Sequence, residues 1–243
     1  MISLYKKELS VFFSSTIGPF IIGLFLLING LLLWSNISQF NILENAYASM
    51  DAFFTVSPIL FLLFISAISM QTFAGEYNTG TIEILITKPI SCQQIIISKF
   101  LAILTLVIFS IIPTFLYIIT IYLLGETTGN LDIGGITGSY IGIFLMSSLF
   151  TSIGVFSSSI SNNQISAFIL ATTISTVFYF GFDTLSDIHT LESINTILEK
   201  IGIAYHYRII SKGLILISNV FYFISMSFLF LQLSQFIILN KKG

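Results

Sequence analysis

Two apolar runs, FFTVSPILFLLFISAISMQTF at Phe53–Phe73 and FLAILTLVIFSIIPTFLYIITIYLL at Phe100–Leu124, flank the polar insert GEYNTGTIEILITKP at Gly75–Pro89. Each run exceeds the roughly 20 apolar residues that a helix needs to cross a hydrocarbon layer of about 30 Å. The insert is too polar to join either run, since backbone and side-chain polar groups left unpaired in lipid are heavily penalised. The fold class that follows is all-α and polytopic, with a polar segment presented on one side of a membrane.

Composition agrees along the whole chain. Of 243 residues, 55% are hydrophobic and only 8% charged, with a mean hydropathy of +0.99, where soluble domains carry about 25% charge. So few ionisable groups do not cover a water-soluble core, so the chain reads as a single membrane domain over residues 1–243. A net charge of −2 excludes the basic signature of a nucleic-acid binder. Cys92 is the only cysteine, which rules out an internal disulfide and any multi-thiolate metal site.

Four further runs complete about six spans: Ser15–Trp34, Ile136–Phe156, Ile165–Phe182 and Leu214–Leu239. Ahead of the first, Ile2, Tyr5, Leu9 and Phe12 recur at three- and four-residue spacing with Lys6 and Lys7 between them, the pattern of an interfacial elbow helix. An even number of spans puts both termini on one side. Lys6, Lys7, Lys88, Lys99, Lys241 and Lys242 all fall on that side, and the first two loops opposite have no basic residue, which assigns the termini to the cytoplasm. The last outer connection, Asp183–Gly213, carries Leu185, Ile188, Leu191, Ile194, Leu198 and Ile201 as a helical stripe. This predicts a short amphipathic helix, either resting on the outer surface or partly re-entrant.

The span centres hold essentially no ionisable side chain, which disfavours coupling to protons or sodium through buried carboxylates. No phosphate-binding Gly-x-x-x-x-Gly-Lys-Ser/Thr loop occurs, and no catalytic triad can be assembled from these residues. The expectation is no enzyme and no cofactor. His189 and His206 are isolated in the outer connection and read as exposed or interfacial. Gly134, Gly138 and Gly142 form a four-residue repeat entering the fourth span, a stripe that lets another helix approach closely, within this chain or from a second subunit.

Within the insert, Thr79 or Thr81 suits the N-cap of a short helix with Glu83 in its first turn and Pro89 beyond its end. Ile82, Ile84, Leu85 and Ile86 outnumber what a solvated loop of this length needs, so part of the segment is expected to dock on a protein partner.

The stretch Phe73–Glu83, continuing through Thr87–Ser91, resembles the coupling segment of type-2 ABC exporter permeases. Asn29–Trp34, Ala48–Phe54, Gly125–Gly142 and Ser159–Phe168 are similar to the GldF-type permease subunits of the gliding-motility ABC transporter of Bacteroidota. The resemblance implies an inner-membrane permease whose segment 75–99 docks on a separate cytoplasmic ATP-binding subunit, with the elbow helix at the same junction. It also implies a second permease chain, identical or related, an auxiliary gliding-motility subunit, and ATP hydrolysis on the partner alone. The residues it assigns to the ATPase-coupling interface are Glu76, Gly80, Thr81, Ile82, Glu83, Leu85, Lys88 and Pro89. Gln71 and Gly75 stand where relatives carry a basic residue and an acid, which weakens the expected charge contact. The competing expectation is a non-transporting scaffold that recruits an ATPase to a motility or secretion assembly.

Overall fold

The computed structural model describes residues 1–15, 17–35, 40–42, 49–82, 90–125, 131–186 and 192–242. Among them every regular element is a helix. Helix α1 (Ile2–Ser14) meets α2 (Ile17–Trp34) at an angle of 63°. Then come α3 (Asp51–Ser69), α4 (Ala74–Asn78), α5 (Cys92–Ile111), α6 (Phe115–Leu124), α7 (Ile133–Ile160), α8 (Gln164–Thr176), α9 (Phe182–Ser186), α10 (Glu192–Ile201), α11 (Ile203–Ser211) and α12 (Ile217–Lys242). Five stretches are long and apolar enough to cross a membrane, α3–α4, α5–α6, α7, α8–α9 and α12, and the bent pair α1–α2 would make a sixth.

The prolines act locally. Pro58 is tolerated inside α3, whereas Pro113 sits in a single 3-10 turn, Ile112–Thr114, that joins α5 to α6 without ending the span. A five-residue π-helical turn, Val177–Gly181, likewise joins α8 to α9. The fourth span is longer than its apolar run, because Asp132 caps it by accepting the Gly135 N–H at 3.0 Å, and the helix continues through the serines to Ile160.

The elbow helix exists, and of the expected stripe Phe12 is buried while Tyr5 and Leu9 pack partly buried against the core. Leu4, Glu8 and Phe12 are buried and Ile2 is 73% exposed. Tyr5 bonds Thr105 at 2.8 Å, which seats α1 along α5.

Helix α7 is the centre of the bundle, touching α3, α5, α8, α11 and α12. Small residues allow this. Ser147, Thr151, Ser152, Ser157, Ser158 and Ser159 are all fully buried. Thr151, Ser152 and Ser157 donate to their own helix, to the carbonyls of Ser147, Leu149 and Ile153 at 2.7–2.8 Å, so their hydroxyls are satisfied without a partner across the interface. A Cβ at Gly154 would overlap the Ser69 side chain, showing how near α3 comes.

The connection at the end opposite the termini packs against the bundle. Of the expected stripe, Ile188 and Leu191 fall outside the described residues. The rest of the connection folds into α10 and α11, and α11 buries Ile203, Ala204, His206, Tyr207 and Ile210. Tyr207 donates to the Phe54 carbonyl at 2.8 Å. The glycine stripe faces this helix: a Cβ at Gly138 would overlap the Ile210 carbonyl oxygen and lie 2.9 Å from Gly213 Cα, and one at Gly142 would lie 3.1 Å from the Tyr207 ring. Gly134 borders Gly213, which adopts φ +80°. These glycines therefore pack within the chain.

Gly138→Ala is expected to destabilise by about 1–3 kcal/mol, because the obstructing atoms are backbone and do not rotate away. Gly23→Ala, with no atom within 4 Å of its added Cβ, is the control and should be neutral or slightly stabilising. Thermal unfolding in detergent checks the pair.

Candidate functional site

The polar insert leaves the bundle at the end carrying both termini, and four charged side chains meet beneath it. Lys99 of α5 is 1% exposed, among the apolar neighbours Ile95, Ile96, Ala102 and Ile103. Its ammonium lies 2.9 Å from Glu76 Oε1 on α4 and 3.3 Å from Glu8 Oε2 on α1, and it donates to the Thr72 carbonyl at 3.0 Å. The three donors of the ammonium therefore meet three oxygens from three separate segments. Lys7 closes the ring from the solvent side, 3.3 Å from Glu8 and 3.5 Å from Glu76. Two cations and two anions cancel, which is what a nearly dry site requires. Phe73 covers the group, with the ammonium 5.0 Å from its ring centre.

Burial pulls the Lys7 pKa down, but the carboxylates of Glu8 and Glu76 outweigh it, so the net shift is above the ordinary lysine value. A raised lysine pKa contributes stability in full below the unfolded-state value, near 10.4, and loses it as pH rises through the folded-state value. The Lys7 contribution is therefore constant across neutral pH.

The backbone around this ring is fixed from the other side of the bundle. The chain breaks between α3 and α4, and the freed N–H groups of Phe73 and Ala74 both donate to Ser158 Oγ of α7 at 3.0 Å. Lys241, near the end of α12, donates to the carbonyls of Ser159 and Ile160, at 3.0 and 3.1 Å, and to Asn162 Oδ1 at 3.1 Å, while stacking 4.2 Å from the Tyr77 ring. It thus caps α7 and pins α4 together. A cleft of about 220 Å³ opens beside the ring, bounded by Lys7, Gln71, Gly75, Glu76, Thr79 and Gln164.

Helix α4 ends at Gly80, φ +69°, whose N–H reaches the Tyr77 carbonyl at 3.2 Å. This left-handed turn favours glycine and turns the chain into the insert. Thr79 and Thr81 bond each other at 2.9 Å, Thr81 and Ile82 begin a helical turn, and Ile82 is buried. Glu83, Leu85, Lys88 and Pro89 lie outside the described residues. Of the expected coupling residues, the structure thus brings Glu76, Gly80, Thr81 and Ile82 together. Glu76 is turned inward, with its side chain 14% exposed and Oε1 shared between the two lysines.

Glu8 was not among the expected residues. Its signal is its place on the i, i+4 line of Leu4 and Phe12, an acid on the buried face of an interfacial helix that demands a cation. In the sequence Lys99 marks topology and the end of segment 75–99, just ahead of the apolar run Phe100–Leu124. His206, expected to be exposed or interfacial, is not exposed. It is 7% exposed, its Nε2–H donates to the Lys200 carbonyl at 2.9 Å, its Nδ1 lies 2.9 Å from Asn219 Oδ1, and its ring stacks on Tyr222. It joins α10, α11 and α12. No group of three or more His, Cys, Asp or Glu side chains able to hold a metal occurs among the described residues.

The ionic ring ties residues of α1, α4 and α5 to one another. It couples the insert to α1 and α5 through charges that are costly to separate. Lys99→Met should destabilise by about 3–5 kcal/mol, since it strands two carboxylates in a nearly dry site. Combining it with Glu8→Gln and Glu76→Gln should recover most of that loss, as read by unfolding in detergent.

Comparison with known proteins gives one family match. The family described as "ABC-2 family transporter protein" matches residues 9–239. A search of curated proteins returns no match.

Proposed function

This chain belongs to the ABC-2 family of transporter proteins, as a membrane-spanning permease component that works with an ATP-binding subunit, and from that premise we propose how its parts serve an exporter. The end bearing both termini faces the cytoplasm of a bacterial inner membrane. There the segment from Glu76 to Pro89 forms the junction with the ATP-binding partner, Thr81, Ile82, Glu83, Leu85 and Lys88 supplying the contact and Gly80 the turn that presents it. Glu76 works from within, holding the root of the segment to Lys99.

The observation that carries this reading is the ionic ring. A push or pull on the insert reaches Glu76, then Lys99 on α5 and Glu8 on α1, without crossing a flexible tether. Two discrete arrangements biased by nucleotide are what such coupling requires. A second permease chain, identical or related, completes the assembly. In its support, the apolar stretches of α8–α9 and α12 are only 17% and 28% buried, against 72% for α7, leaving two spans with broad free faces. The finer placement in a gliding-motility-type complex, with its auxiliary subunit, rests on the resemblance of Asn29–Trp34 and Gly125–Gly142 to those permeases.

Leu85→Asp is expected to reduce co-purification of the ATP-binding subunit by about tenfold or more, the effect of losing roughly 1.4 kcal/mol at an apolar contact. Thr137→Ala at the opposite end should leave it unchanged. Retained binding and unchanged stimulation of ATP hydrolysis by Leu85→Asp would remove the segment from the junction. ATP hydrolysis without vectorial movement of any cargo in proteoliposomes would favour the scaffold.

A further inference from the structure

Pro58 stands inside α3 and has no N–H, so the carbonyl four residues earlier, that of Phe54, loses its partner in the helix ladder. Another element supplies the missing donor. The Tyr207 hydroxyl of α11 donates to the Phe54 carbonyl at 2.8 Å, and both residues are buried. A buried carbonyl left without a donor is costly, so the proline in α3 and the tyrosine in α11 form one unit.

The two parts of α3 on either side of Pro58 are held differently. Toward the termini, a Cβ at Gly154 would overlap Ser69, and the N–H groups of Phe73 and Ala74 are bonded to Ser158, so this part is fixed to α7 at close range. Ahead of Pro58, Asp51–Ser57 rests on ring contacts of Phe53 and Phe54 with Tyr140, at 6.0 and 5.2 Å. Among the described residues its one side-chain hydrogen bond from another element is that of Tyr207. The same segment walls a cleft of about 300 Å³ at the end opposite the termini. Asp51 and Phe54 form one side, with Asp132, Ile136 and Ser139 at the start of α7 and Lys212 beyond α11 on the others.

We propose that Pro58 is a hinge and the Tyr207–Phe54 bond its latch: when the ATP-binding subunit displaces α4, the first turns of α3 bend at Pro58, the bond parts, and the cleft between α3, α7 and α11 opens. The inference rests on the permease reading above and adds where the far end gives way. The ladder of α3 already lacks a bond at that point, so bending there breaks none of the helix's own. Water entering the cleft takes up the freed carbonyl and hydroxyl, which keeps the cost of parting them small.

Ile136→Cys, in a Cys92→Ser background of the permease with its ATP-binding subunit in nanodiscs, reports the cleft, since Ile136 lines it and is 9% exposed. The probe is a charged maleimide, and Thr137→Cys, exposed one position on, is the reference for reagent access. Labelling of Ile136→Cys relative to Thr137→Cys should be slow without nucleotide and rise about fivefold or more with a non-hydrolysable ATP analogue. Tyr207→Phe should raise it about fivefold with no nucleotide, the effect of one lost hydrogen bond. Pro58→Ala, which returns an N–H to the ladder, should suppress the nucleotide-driven rise. A rate at Ile136→Cys that is indifferent to the analogue overturns the inference, as does a full rise in Pro58→Ala; the first result comes from the native latch and stands even if either variant folds poorly. Loss of the ATP-binding subunit from the complex would instead defeat the permease reading, whereas association retained with an unchanging rate defeats only the latch.

Discussion

The Lys99 ammonium is the constraint around which the half of this permease that carries both termini is organised. A cation that is 1% exposed in an apolar helix bundle survives only with oxygens on every donor, and the fold supplies them from α1, α4 and the carbonyl of Thr72. That need explains features that otherwise look unrelated. Helix α1 must lie against α5 so that Glu8 reaches inward, α3 must break before α4 so that Thr72 offers its carbonyl, and Ser158 must cap the amides that the break exposes. The same geometry sets the exit direction of the polar segment, since Glu76 is four residues ahead of the Gly80 turn.

Behind this ring, rigidity comes from small residues rather than large ones. Helix α7 buries serines that bond their own carbonyls and glycines that admit α3 and α11 to backbone distance. Close approach of this kind leaves few intermediate arrangements, so displacement at one end is passed along α7 as a body. At the far end, α11 is held by Tyr207 on Phe54 and by His206 between Lys200 and Asn219, which makes this connection part of the bundle.

The fold was legible where a single physical rule dominates. Spans of apolar residues, the elbow helix and the shared side of the termini follow from the cost of unpaired backbone in lipid and from helical spacing. The belonging to ABC-2 permeases was legible in Phe73–Glu83. What escaped were contacts between residues far apart in the chain. Glu8 and Lys99 are separated by 91 positions, and nothing local to either names the other. Helix α11 was hidden for a different reason: its buried face is short and carries His206 among its apolar residues, and it is buried because Gly138 and Gly142 leave room for it.

Everything functional in this account depends on α1 and α4 moving together when the ATP-binding subunit changes state. Double electron–electron resonance between spin labels at Ser3→Cys and Thr79→Cys, both exposed positions, in a Cys92→Ser background of the intact complex measures this directly. The account predicts a single narrow distance distribution that is the same with and without a non-hydrolysable ATP analogue, and that broadens when Lys99→Met removes the ring. A distance that changes with nucleotide in the otherwise native protein, or that is indifferent to Lys99→Met, would contradict it.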